Sequence, residues 1–213
     1  MDTEQVIPLF PLNVVLFPHS KIPLNIFEER YIRMINENIE KAVQFGIILY
    51  DDRKINNTGC TADVEKILSK NEKGEMSIIV KGKSRFRLLE YDLSDEGFYK
   101  GKVKFLPENI GLTDTGKLDH CINIYNEIME KVYRGFVKKI DLNDSEQKIE
   151  KRIFSFLMAE KSGMSLTERQ LLLETDSEND RLDYILNYFS AIMPKIKEAG
   201  KISEIIKGNG YIQ

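Results

Sequence analysis

The chain has 213 residues, 42% of them hydrophobic, enough to bury a sizeable core in one large domain or two small ones. Charged residues make up 31%, yet the net charge is only −3, which excludes a global field demanding nucleic acid or an anionic membrane. Two cysteines, Cys60 and Cys121, form no spaced pair, and in a chain this long they point to a reducing compartment, the cytoplasm.

The start, Met1-Asp2-Thr3-Glu4-Gln5, is acidic and polar, so no secretory leader is expected. No stretch approaches the roughly 18 uninterrupted apolar residues of a membrane span. Next comes the run that organises the rest, Ile7 to Phe17, continuing through Ile22 to Tyr31. It is strongly apolar, yet prolines cut it at 8, 11, 18 and 23. Proline cannot donate to a strand ladder, so two proline-broken strands are expected here rather than one regular central strand. Glu28 opens a helical pattern with Tyr31, Met34, Ile35, Ile39 and Ala42 on one face. Phe45 to Tyr50 reads as a short buried strand, and Asp51 to Gly59 as a polar loop with Asn56, Asn57 and Gly59 as turn formers. Cys60 to Lys70 is a strand whose phase slips at Ile67-Leu68, suggesting a bulge. Asn71 to Gly74 makes a hairpin turn, and Met76 to Lys81 returns. Gly82 marks a break, a bulge or a close backbone approach. Ser84 to Tyr91 alternates cleanly, Asp92 to Gly97 turns, and Tyr99 to Leu106 is the last strand. Short antiparallel strands with tight turns and one covering helix predict a small pseudo-barrel.

After the polar stretch Asn109 to Gly116 the period changes from two to near 3.6. Leu118, Cys121, Ile122, Tyr125, Ile128, Met129, Val132, Tyr133 and Phe136 make one long stripe. A second helix is predicted from Ser145 to Lys161, with Asp144 and Gln147 as caps, Ile149, Ile153, Phe156 and Leu157 inward, and Gly163 as its stop. Ser165 and Glu168 form a capping-box signature for a shorter third helix ending near Glu174. A fourth starts near Glu178 and contains Pro194, with a tail that frays at Gly208-Asn209-Gly210. Four amphipathic helices in a row predict a bundle.

Catalytic chemistry is sparse. Gly82-Lys83-Ser84 has the tail of a phosphate-binding loop, but the glycine needed five residues earlier is Ser77, and a strand follows instead of a helix. No Gly-x-Ser-x-Gly elbow occurs. The two histidines, His19 and His120, have no ligand partner at metal spacing. The carboxylates of Asp51-Asp52 and Asp95-Glu96 read as turn residues rather than an acid–base pair. No cofactor and no metal is expected.

The order of prolines, apolar residues and the Ile26-Phe27-Glu28-Glu29-Arg30-Tyr31 ending resembles the opening of the Lon protease N-terminal domain, the LON substrate-binding domain. The likeness continues in Gly59 to Val64, in Gly82 to Leu88, and in Ser165 to Glu174 followed by Arg181-Leu182. It implies an α+β protein: an N-terminal PUA-like antiparallel β pseudo-barrel with one covering helix over residues 1–110, then a C-terminal α-helical bundle over 111–213. In full-length Lon that unit engages protein substrates ahead of an ATPase and a peptidase. Because the chain stops where the ATPase would begin, a stand-alone, non-enzymatic member is expected.

Two candidate surfaces follow. Phe10, Leu12, Phe17, Leu24 and Phe27 are more apolar than their proline-broken backbone needs, and some can line a groove suited to unfolded segments. Phe17, Pro18, Phe27, Arg30 and Tyr31 are the substrate-binding candidates. Partners would be unfolded or partner proteins, with an ATP-dependent protease or chaperone working alongside, and no membrane. The alternative is an RNA-associated module. Lys81, Lys83, Arg85 and Arg87 share one strand face, and Lys100, Lys102 and Lys104 share the next. Lys83, Arg85, Arg87, Lys100 and Lys102 would track phosphates. The same stripe is also what the wet face of a half-buried sheet looks like, with Asp63 and Glu65 as counter-charges.

Overall fold

The computed structural model describes residues 4–107, 111–142 and 153–208. Among them lie six strands and five helices, a mixed α+β fold. The chain divides into two compact units: residues 1–110 with 163–176, and 111–162 with 177–213.

In the first unit, β1 (Glu4–Leu12), β2 (Lys21–Ile26), β3 (Phe45–Asp51), β4 (Lys54–Lys70), β5 (Met76–Leu93) and β6 (Tyr99–Phe105) form one sheet in the order β2-β5-β4-β3-β1-β6. β6 also pairs with β5, so the sheet closes on itself. The expectation of an all-antiparallel sheet is corrected at one seam, because β1 and β3 run parallel. A parallel pair needs a crossover longer than a hairpin. Here β2 and the helix α1 (Glu29–Lys41) supply it.

The two proline-bearing strands expected from the opening run are β1 and β2, ahead of α1. β1 is one continuous nine-residue strand despite Pro8 and Pro11. Residues 4–9 pair with β6 and residues 9–12 with β3, so the strand exchanges partners at Leu9. Each proline therefore lies where β1 has a neighbour on one side only, and its missing N–H has an open side to face. Pro23 lies in β2, which pairs with β5 alone and is an edge.

The predicted loop 51–59 is mostly strand. The chain reverses at Asp52 and Arg53, whose φ of 46° and 63° make a two-residue hairpin between Asp51 and Lys54. Asn56, Asn57 and Gly59 then belong to β4. β5 runs unbroken through Gly82. The break that the sequence offered as one alternative is absent; a Cβ at that glycine would stand 2.2 Å from the Phe17 carbonyl oxygen, so the close approach, another of the alternatives, is the reason for it. His19 N–H donates to Gly82 O and Gly82 N–H to Ser20 O, both at 2.9 Å, fastening residues 17–20 to β5.

α1 buries Tyr31, Met34, Ile35 and Asn38, while Ile39 is exposed. Its apolar face packs on a cluster containing Phe10, Leu16, Ile26, Phe45, Ile47, Ile78, Val80 and Phe98. A second cluster gathers Ile7, Leu9, Ile48, Ile55, Phe86, Leu88 and Val103. The same unit contains α4 (Leu166–Glu174), which the period alone had grouped with the helical half. Its capping box is present: Ser165 Oγ accepts from Glu168 N–H, and Glu168 Oε2 accepts from Ser165 N–H. Gln170 on α4 donates to the Thr58 carbonyl of β4 at 3.1 Å.

In the second unit α2 (Thr115–Tyr133) buries Leu118, Cys121, Ile122, Tyr125, Ile128 and Met129. The predicted stripe ends early, since Arg134 and Gly135 take φ of 49° and 87° and Phe136 is 92% exposed. α3 (Phe154–Lys161) buries Phe154, Phe156 and Met158, and α5 (Glu178–Gly208) buries Leu182, Ile185 and Phe189 and carries Pro194. The expected helix start at Ser145, its caps Asp144 and Gln147, and Ile149 lie outside the described residues, as do Asn209 and Gly210. Glu178 lies buried and accepts from Ser155 N–H at 2.9 Å and Ser155 Oγ at 2.6 Å, and Arg181 donates to its Oε2 at 2.8 Å. That carboxylate thus satisfies the start of α3 as well as an arginine.

Candidate functional site

The first turn of α1 begins the site. Glu28 is the residue before the helix, but its carboxylate makes no cap bond. It is engaged by Arg30 instead, with Nε at 2.9 Å and a terminal guanidinium nitrogen at 2.7 Å. Arg30 also donates to Gly97 O at 3.2 Å and lies 4.7 Å from the Tyr31 ring centroid. Tyr31 is buried and stacks on Phe10 with centroids 4.2 Å apart, tilted by 30°. Burial pushes the Tyr31 phenol up, while Arg30 pulls it down.

Around these residues opens a cleft of about 300 Å³ lined by Phe10, Pro11, Leu12, Glu28, Arg30, Tyr31, Tyr50 and Tyr99. The end of β1, the end of β3, the start of β6 and the first turn of α1 contribute its lining. Tyr50 is 43% exposed, and beyond the cleft Tyr91 meets Tyr99 edge-on at 5.5 Å and 84°. Phe10 and Tyr31 are buried and fixed by their stacking, while Tyr50 and Tyr99 add aromatic bodies with polar tips.

Of the substrate-binding candidates, the structure brings Arg30 and Tyr31 into this cleft. Phe17 and Pro18 are buried. The Arg169 guanidinium lies 5.1 Å from the Phe17 ring centroid, so that ring serves packing of the first unit. Phe27 is 69% exposed but lies elsewhere, in a shallow hollow with Asn25, Ser69 and Lys70. Sequence reasoning missed Tyr50 and Tyr99. Both stand at strand termini, where alternation does not say whether the last side chain meets core or solvent.

The basic stripe is rearranged. Arg85 is 2% exposed and donates to Leu173 O at 2.9 Å, Thr175 O at 3.0 Å and Pro107 O at 2.7 Å, with Asp176 at 3.2 Å. It is withdrawn from the face on which phosphate tracking would need it, because the α4 segment covers that part of β5. Lys83 pairs with Asp63 at 3.0 Å, Lys100 with Glu96 at 3.0 Å, and Lys102 with Glu4 at 2.6 Å. Arg87 is exposed, opposite Lys104 in register. The Asp63 pairing is the counter-charge arrangement of a solvated sheet face.

Burial pushes the Cys60 and Cys121 thiols up to about 12, which leaves them unreactive at neutral pH. Among the described residues no group of three or more His, Cys, Asp and Glu side chains could hold a metal, and no helix is long and apolar enough to cross a membrane.

The first unit is thus a closed sheet that bears a solvent-open, tyrosine-lined cleft. Residues 6–190 match the family described as the ATP-dependent protease La (LON) substrate-binding domain, and the chain belongs to it. That domain is the non-catalytic part of the protease. The chain is 23% identical over 218 residues to a Lon protease of Dictyoglomus thermophilum, covering 97% of this chain and 27% of that one. It is 31% identical over 114 residues to the protein cereblon of Gallus gallus, covering 51% of this chain and 26% of that one. The chain thus spans about a quarter of the length of these curated relatives. In fold it is similar to a Lon N-terminal domain protein from Xanthomonas campestris, with a TM-score of 0.66, 22% identity, and 86% of this chain and 98% of that one covered. It is similar also to the N-terminal domain of the Mycobacterium avium complex Lon protease, with a TM-score of 0.70, 13% identity, and 87% and 98% covered.

Proposed function

We propose that this chain recognises protein substrates, binding exposed apolar segments of unfolded or partner proteins in the Phe10–Tyr31–Tyr50–Tyr99 cleft, and that it performs no chemistry on them. The observation that carries the reading is this cleft within a domain of the substrate-binding family. Its rings offer apolar area with little side-chain entropy left to lose, as befits a site that must take many sequences weakly. An ATP-dependent protease or a chaperone is the partner class that would receive such clients. The ion pairs of Lys83, Lys100 and Lys102 and the burial of Arg85 weigh against RNA.

The test is saturable binding of a permanently unfolded, reduced and alkylated protein, followed by anisotropy. Binding should survive a rise in salt, since apolar contact is little screened whereas phosphate tracking is lost steeply. Tyr99→Ala should weaken it by about tenfold, the effect of removing one aromatic anchor. Phe27→Ala should leave it unchanged. No saturable binding by a correctly folded chain would sink the proposal.

A further inference from the structure

We propose that the preferred occupant of the tyrosine cleft is an uncharged, proline-containing segment in the polyproline II conformation; this rests on the reading above and narrows it to one backbone form. Three backbone forms can enter a protein surface: strand, helix and polyproline II.

Strand addition is disfavoured by β1. Past Leu9 that strand has no partner on its β6 side, but the open length is only Phe10 to Leu12, and its middle residue, Pro11, has no N–H to give. A helix would need a long apolar trough for anchors at i, i+4 and i+7. The cleft holds about 300 Å³, and Glu28, Arg30 and the phenols of Tyr31, Tyr50 and Tyr99 interrupt its apolar lining.

Polyproline II fits what remains. Its carbonyls are free of internal hydrogen bonds, so they can take donors from phenols. Tyr50, 43% exposed, and Tyr99 bring such donors to the cleft beside Arg30, whose guanidinium is already engaged by Glu28 and Gly97 O. Its proline rings present flat apolar faces to aromatic rings. The edge-on pair Tyr99–Tyr91 continues the aromatic surface beyond the cleft, and Leu93, 63% exposed, pairs with Tyr99 in register. Charge selects further: the Arg30 cation is already paired with Glu28 inside the cleft. An acidic or basic segment would therefore find no opposite charge left over, and an uncharged one loses nothing. The preformed helix also brings little ordering entropy to lose on binding.

The experiment uses the full chain and a fluorescent ten-residue uncharged peptide with proline at every position but two. A peptide of the same length with those prolines changed to alanine, and a leucine-rich peptide, are the comparators. The proline peptide should bind about tenfold more tightly than the alanine peptide, the gain of a preformed backbone. Tyr50→Ala and Tyr99→Ala should each weaken it by about tenfold, as for interface anchors. Tyr50→Phe should lose only a few-fold, because the ring stays. Circular dichroism and a thermal melt establish that each variant is folded. If the leucine-rich peptide binds as well as the proline peptide, and the tyrosine variants weaken both, the polyproline II proposal is overturned while the apolar-segment reading stands. If no peptide binds, or the tyrosine variants change nothing, both fall.

Discussion

Arg85 and Arg181 are both buried, though composition would leave such side chains in water. Each is tolerated because its donors are used. Arg85 holds three carbonyls and Asp176; Arg181 holds Glu178 and Ser155 and lies 4.4 Å from the Phe156 ring centroid. Arg85→Ala should destabilise the chain by about 1–3 kcal/mol, because it strands buried carbonyl acceptors. Lysine should rescue little of this, since one ammonium cannot span the four positions a planar fork reaches. Urea titration of both variants checks the point. Glu178 supplies a pH dependence. Burial pushes its carboxyl above the usual 4.5, more than Arg181 and Ser155 pull it down. A carboxyl raised in the folded state favours the folded protein below the unfolded value, and that contribution is lost as pH climbs through the raised one. Glu178→Gln should therefore flatten the fall in stability above pH 4.5, measured as denaturation midpoint against pH. A slope equal to that of the parent would contradict it.

At the scale of elements, the cap of α4 and the close approach at Gly82 each offer a local test. Removing the Ser165 hydroxyl (Ser165→Ala) should cost about 0.5–2 kcal/mol, the usual value of an N-cap. The loss should appear as faster amide exchange in α4. Gly82→Ala should cost about 1–3 kcal/mol through overpacking. The reason is backbone, not conformation: the added methyl meets the Phe17 carbonyl of the segment bonded to β5 on both sides of the glycine. A melting temperature unchanged by Gly82→Ala would show that residues 17–20 can move aside freely.

For the whole molecule, the consequence lies in where α4 belongs. The first unit takes residues 163–176 back after the chain has left it at 110. Its sheet depends on them, since Arg85 bonds to Leu173, Thr175 and Asp176, and Thr58 O accepts from Gln170. A fragment of residues 1–110 should therefore lack a cooperative melt, or melt well below the full chain, although it contains all six strands found among the described residues. Circular dichroism of the fragment, with and without a peptide of residues 163–176, decides it. A fragment as stable as the parent would remove the role assigned to α4.

The sequence alone determined the features that depend on a few neighbouring residues. The hairpin at Asn71–Gly74, the capping box of Ser165 and Glu168, and the α1 face with Tyr31, Met34 and Ile35 are all local patterns. It also placed Arg30 and Tyr31 among the binding candidates, through their position in a recognisable opening motif. It put Phe17 and Pro18 there too, and these are buried, because apolar character marks core and contact surface alike. The tertiary structure decided the partner exchange along β1, the parallel seam with β3, the withdrawal of Arg85 and the meeting of Tyr50 with Tyr99 and Tyr31. These depend on residues far apart in the chain. Periodicity reports which face of an element is apolar, and only packing decides what that face meets.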